Sequence, residues 1–151
     1  MIRKATLSDI KAVHRLISEQ AKAGHLIPRA ISELYSQVRD FAVRTENGPD
    51  TIVGCGALHI VWEDLAEIRS LAVQSDCQRK GIGSELVQSL LEESRGMEIK
   101  RVFVLTDRTS LFERLGFSYI DKNLLPHKIW ADCIRCNKFP ECDEVAMAIS
   151  S

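Results

Sequence analysis

The amino-acid sequence predicts one α/β domain, and three observations carry that prediction. Short apolar runs bounded by turn residues fill the first half, the pattern of a strand meander. Midway, an apolar strand runs through Leu71-Ala72-Val73 into a polar turn, then Gln78-x-x-Gly81-x-Gly83, then an amphipathic segment from Ser84 to Arg95. Beyond it, strand and helix patterns alternate. At 151 residues the chain has the length of a single domain. That length suffices to bury roughly two-thirds of the surface that the unfolded chain exposes. No internal repeat, low-complexity stretch or linker divides it, so one domain over residues 1–151 is expected.

The elements follow in order. Residues 2–5 read as a short first strand. Thr6 or Ser8 is placed to cap a helix whose apolar positions Ile10, Val13, Leu16 and Ile17 recur at helical spacing, and Gly24 ends it. Residues 24–29 are a loop, and 31–38 a second helix. Strands are expected over 41–45 and 51–62, joined by 46–50, where Asn47-Gly48 marks a tight turn. Glu63-Asp64 turns into a third long strand, 66–73. The helix after the paired glycines carries Leu86, Val87, Leu90 and Leu91 on one face. A strand over 101–106, a short helix over 111–115 and a strand from Gly116-Phe117 to about 120 come next. The tail holds a helix near 124–134, a cysteine-rich segment at about 127–143 and a last strand over 144–149.

Composition narrows the function classes. Hydrophobic residues make up 45% and charged residues 27%, the balance of a soluble globular protein. A formal net charge of −1 offers no global attraction to nucleic acid or to an anionic membrane, so neither is expected as a partner. No apolar run approaches the ~20 residues needed to cross a bilayer. Met1-Ile2-Arg3-Lys4 leads into polar sequence rather than a signal peptide's apolar core, so the expected location is the cytoplasm. Five cysteines in that setting predict reduced thiols rather than a disulfide framework.

The paired glycines carry the chemistry. At the mouth of a helix they let the backbone approach a ligand closely, and the free N–H groups and the positive dipole end favour phosphate. The P-loop pattern would need Gly-Lys-Ser/Thr after a longer loop. The dinucleotide fingerprint would need a third glycine where Leu86 stands. With the preceding Leu-Ala-Val strand in register, the stretch resembles the coenzyme A pyrophosphate loop of the GNAT acetyltransferases, whose signature is Arg/Gln-x-x-Gly-x-Gly/Ala. The resemblance covers most of the chain. It implies the GNAT (acyl-CoA N-acyltransferase) fold, a central mixed, mostly antiparallel sheet flanked by helices, and acetyl-CoA as cosubstrate. It also implies that Leu71, Ala72, Val73, Gln78, Arg79, Lys80, Gly81, Ile82, Gly83 and Ser84 hold the coenzyme. Family members splay two strands apart beside the glycine loop; here those would be the strand ending at Val73 and the strand 101–106.

An amine attacks a thioester only when neutral, so an ammonium of pKa roughly 9–10 must lose a proton at pH 7. The candidate base is Glu67, six residues before Val73, where several GNAT enzymes carry a catalytic glutamate. Strand alternation puts Glu67 and Arg69 on one face if no bulge intervenes. The other reading of Glu67 is a solvated strand-end carboxylate. Many GNAT enzymes protonate the leaving thiolate with a tyrosine in Tyr-x-x-x-Gly-Phe, but this chain has Phe112 there. Tyr35, Tyr119 or water is left to supply the proton.

Val104-Leu105-Thr106-Asp107-Arg108, then Phe112 to Phe117, then Leu124-Leu125-Pro126 resembles the acetyltransferase domain of N-acetylglutamate synthases. Leu26-Ile27-Pro28-Arg29 and His127-Lys128-Ile129-Trp130 are similar to the short, stand-alone versions. This implies L-glutamate as acceptor, the first step of arginine synthesis, without the kinase-like domain of larger members. Glutamate brings two carboxylates, which guanidinium and ammonium groups meet. Arg29, Arg69, Arg108 and Lys128 are the candidates, with solvated surface arginines as the alternative. Cys133, Cys136 and Cys142, with His127 and Asp143 near, form half of a zinc pattern whose second half is incomplete, and a reduced thiol cluster is the competing reading. No metal is therefore expected. Other readings keep the coenzyme but change the rest: another small amine or a protein terminus as acceptor, or a non-catalytic coenzyme A-binding sensor. The fold admits a homodimer.

Overall fold

A computed structural model describes residues 1–125 and 145–150. Its strands are β1 (Ile2–Lys4), β2 (Phe41–Thr45), β3 (Ile52–Trp62), β4 (Leu65–Val73), β5 (Arg101–Thr106), β6 (Ser118–Ile120) and β7 (Val145–Ser150). Its helices are α1 (Ile10–Lys22), α2 (Ile31–Ser36), α3 (Ile82–Gly96) and α4 (Thr109–Arg114). The seven strands form one sheet in the order β1-β2-β3-β4-β5-β7-β6. Every pairing is antiparallel except β4 with β5, which is parallel because α3 crosses over between them. The expected tail helix near 124–134 lies, beyond a 3-10 turn at Lys122–Leu124, outside the described residues, as does the cysteine-rich segment.

Each face of the sheet has its own core. Leu86, Val87, Leu90 and Leu91 of α3 pack with Leu58, Ile68, Val102 and Val104 on one face. Ile10, Val13, Leu16 and Ile17 of α1 pack with Leu34, Phe41, Val43, Ala57 and Ala72 on the other. The helical spacing of both apolar sets dictates these contacts, since a 3.6-residue period lines up one face. α3 lies close on β3 because two strand positions lack side chains. A Cβ on Gly54 would stand 3.0 Å from Leu86 Cδ1 and 3.1 Å from Ile82 Cγ2, and one on Gly56 would stand 3.3 Å from Leu90 Cδ1.

Some boundaries differ from the sequence expectation. The second helix ends at Ser36 rather than at residue 38, and a 3-10 turn over Val38–Asp40 follows. Phe41 must leave that turn extended to pair with Ala57, which cuts the helix short. α3 starts at Ile82, two residues earlier than the polar pattern indicated, and α4 at Thr109.

Candidate active site

β4 is the strand that shapes the site. It pairs with β5 from Leu65↔Arg101 to Ile68↔Val104, and no further. Its pairing with β3 continues to Val73↔Gly54. Between Ala57↔Arg69 and Cys55↔Ala72, Ser70 and Leu71 share the single partner position Gly56, and Ser70 takes a left-handed φ of 56°. Such a bulge bends one strand and sharpens its twist. The second half of β4 therefore leaves β5, opening a cleft between residues 70–73 and the end of β5.

At the top of the cleft stands the glycine loop. Arg79 has φ 67° and Gly81 φ 79°, and α3 begins directly after. Positive φ at alternating positions curls successive N–H groups into a concavity that suits an anion. The first-turn N–H groups of a helix lack intrahelical partners and add to it. Arg79 and Lys80 are exposed beside this concavity. Gln78 does something else: its amide donates to the Val73 carbonyl at 3.2 Å and closes the loop back onto the strand.

Glu67 and Arg69 sit below, side by side on β4. Their side chains are 10% and 12% exposed, with Arg69 Nη1 3.8 Å from Glu67 Oε1. The bulge falls one residue past Arg69, so the alternation that aligns the two is intact. They share the α1 face with Ala57, the partner of Arg69, while Leu58 and Ile68 point into the α3 core. A buried carboxylate beside a guanidinium, next to an open cleft, can take a proton from a cationic acceptor and bind its anionic end.

Arg29, Arg108, Phe112 and Tyr119 each have partners of their own. Arg29 is buried before α2, with Glu33 3.9 Å away. Arg108, just past β5, donates to Gln20 Oε1 at 2.9 Å, and Gln20 Nε2 donates to the Val73 carbonyl at 3.4 Å. His25 and Asp107 meet at 3.3 Å nearby. These bonds tie the ends of α1, β4 and β5 together at the open end of the cleft. Lys128 lies outside the described residues. Phe112 is buried in the α3-side core, edge-on to Phe117 with ring centroids 5.1 Å apart. Tyr119, on the outermost strand β6, donates its hydroxyl to Glu113 at 2.6 Å.

Two polar groups escaped the sequence reading. Gln20 continues the buried stripe Val13, Leu16, Ile17 of α1, and a polar residue on an apolar face was the available clue. Asp40 sits 3.0 Å from His59 Nδ1, a pairing that needs the 3-10 turn and could not be read from spacing. Of the thiols described, Cys55 is fully buried and burial pushes it up to about 12. Cys77, beside Asp76 and Glu46, is raised as well, chiefly by desolvation. Among the described residues, no three His, Cys, Asp or Glu side chains gather as a metal site would require. Cys133, Cys136 and Cys142 lie outside them.

Comparison with known proteins places the chain. The family model described as Acetyltransferase (GNAT) family matches residues 10–117. An uncharacterized N-acetyltransferase of Chlorobaculum tepidum is 38% identical over 146 residues, 97% of this chain and 93% of that protein. An amino-acid acetyltransferase of Mycobacterium tuberculosis is 36% identical over 138 residues, 89% of this chain and 78% of that protein. Among solved structures, N-acetylglutamate synthase from Neisseria gonorrhoeae, complexed with coenzyme A and N-acetyl-glutamate, superposes with a TM-score of 0.87 at 26% identity. The match covers 99% of this chain and 34% of that one.

Proposed function

This chain belongs to the GNAT acetyltransferase family and is an acetyl-CoA-dependent N-acetyltransferase; from that premise we propose that its acceptor is a free amino acid, L-glutamate foremost, and its product N-acetylglutamate. The observation that supports this reading most is the buried Glu67–Arg69 pair at 3.8 Å beside the splayed strands. Glu67 removes a proton from the substrate ammonium, directly or across one water. The neutral amine attacks the thioester carbonyl, the C–N bond forms, and collapse of the tetrahedral intermediate breaks the C–S bond. The thiolate leaves, and the second proton lost by the attacking nitrogen balances the one it takes up to become the thiol. With Phe112 buried and the Tyr119 hydroxyl held by Glu113, Tyr35 or water is the donor in this reading.

Arg69 is the primary partner of the acceptor's carboxylates, with Arg29, Arg108 and Lys128 as further cationic contacts. The coenzyme's pyrophosphate lies on residues 78–84 and its pantetheine arm along residues 71–73. A place at the start of arginine synthesis, in the cytoplasm, belongs to the same reading. So does a single domain over residues 1–151. A homodimer, which the fold admits, is tested by sedimentation.

The test is incubation with acetyl-CoA and the twenty amino acids, read by mass spectrometry. One dominant N-acetylglutamate peak is expected. A different acetylated amino acid would replace the acceptor, and coenzyme binding with no product would move the reading to a macromolecular acceptor or a sensor. In the active enzyme, Arg69→Ala is expected to raise the KM for glutamate by about 10- to 100-fold, the cost of losing a charged hydrogen-bond partner, while the KM for acetyl-CoA stays unchanged.

A further inference from the structure

The reaction converts an ammonium and a thioester into an amide, a thiol and one proton, so a proton must leave the site in every turnover. Glu67 is only 10% exposed and cannot hand it freely to bulk water. Taking Glu67 as the base of the reading above, we propose that His59, oriented by Asp40, carries that proton from Glu67 to solvent.

Three observations carry the inference. First, His59 of β3 is the direct antiparallel partner of Glu67, in a stretch of regular register from Ala57↔Arg69 to Ile60↔Ala66. Directly opposed residues share a face, with Cβ atoms about 5 Å apart. Second, Asp40 Oδ2 lies 3.0 Å from His59 Nδ1. An ionised carboxylate only accepts, so Nδ1 carries the hydrogen, and Nε2 is the nitrogen left to take a proton. Third, His59 and Asp40, at 33% and 29%, are both more exposed than Glu67 at 10%. Two acidic groups flank His59: Asp40 from the turn before β2, and Glu67 opposite it on β4.

The transfer balances without any further reagent. The Glu67 carboxyl gives its proton to His59 Nε2, directly or across one water, which regenerates the carboxylate. Asp40 stabilises the imidazolium, and the imidazolium gives the proton to solvent. His59 is thus a positioning and relay residue that touches neither substrate in this scheme. It differs from a surface histidine in having the base on one side and an orienting carboxylate on the other.

The experiment compares His59→Ala, Asp40→Asn and Glu67→Gln in the full chain, with acetyl-CoA and the acceptor found by the mass-spectrometric assay. For His59→Ala, kcat is expected to fall by about 10- to 100-fold, less than the full range for a general base. Both KM values should stay within about twofold, and added imidazole should restore the rate saturably. For Asp40→Asn, a smaller loss is expected, and kcat should become dependent on the concentration of buffer base.

Full kcat in His59→Ala while Glu67→Gln loses activity would overturn the relay and leave the base intact. Full kcat in Glu67→Gln would overturn the base itself. A loss in His59→Ala that imidazole does not rescue, with altered KM values, would mark a structural role and overturn the relay. If His59→Ala does not fold, Asp40→Asn decides, because its side chain is partly exposed; an unchanged kcat with no buffer dependence would overturn the proposal.

Discussion

Arg79 and Gly81 hold positive φ on either side of Lys80, and their costs are unequal. A left-handed residue other than glycine costs about 1–2 kcal/mol. Arg79 bears such a cost in the native fold, a kind of strain that gathers where a backbone is shaped for a ligand. Gly81→Ala should therefore weaken folding by about 1 kcal/mol and raise the KM for acetyl-CoA by about fivefold. Gly24→Ala, at a comparable φ of 84° beyond α1, should lower stability alike and leave that KM unchanged. Urea unfolding and steady-state kinetics on both variants separate the two effects. At this scale much was legible. Glu67 and Arg69 stand side by side because strand alternation needs only a two-residue count. The partner of Gln78 was not legible, since the loop folds back onto a carbonyl that spacing cannot locate.

Among elements, the α3–β3 contact is a close joint that the sequence left unannounced. Gly54 and Gly56 read as weak points in a strand, yet they admit a helix. Gly54→Val would thrust a branched side chain at Leu86 and Ile82, and a cost of about 1–3 kcal/mol is expected. Leu86→Ala in the same chain should recover part of that cost by making room, which a double-mutant cycle in urea would detect. Strands β2 and β5 matched their expected bounds because β-branched and aromatic runs end abruptly at turns. The bulge at Ser70 was not readable. No glycine of β4 marks it, and it arises because β4 must follow β3 while parting from β5. A relation between three strands leaves no trace in the pattern of one.

For the molecule as a whole, Arg3 is a clasp between distant segments. Its guanidinium bonds both Asp9 oxygens at 2.7 and 3.0 Å and donates to the Pro49 carbonyl at 2.9 Å. That joins β1, the approach to α1 and the turn between β2 and β3. The hydrogen bonds from Arg3, helped by the Thr6 N–H, hold the Asp9 carboxyl below its ordinary value against the opposing effect of burial. A depressed carboxyl contributes stability above its unfolded pKa of about 3.9 and loses that contribution as pH falls through the folded value. Asp9→Asn is accordingly expected to lower unfolding free energy by about 1–2 kcal/mol at pH 7. The gap to the native chain should close in acid, as denaturant titrations at pH 7 and pH 3 would reveal.

The strand order has a last consequence, for the sequence of events in synthesis. β7 is the last described strand to leave the ribosome, yet it sits between β5 and β6. β5 keeps only its four-residue pairing with β4 until β7 docks beside it. A nascent chain can thus assemble β1 to β4 and the α1 core early, while one wall of the cleft waits for β7. That wall of the cleft is finished last, and a ribosome paused before residue 145 would hold a half-sheet with an open edge, the kind of surface chaperones engage.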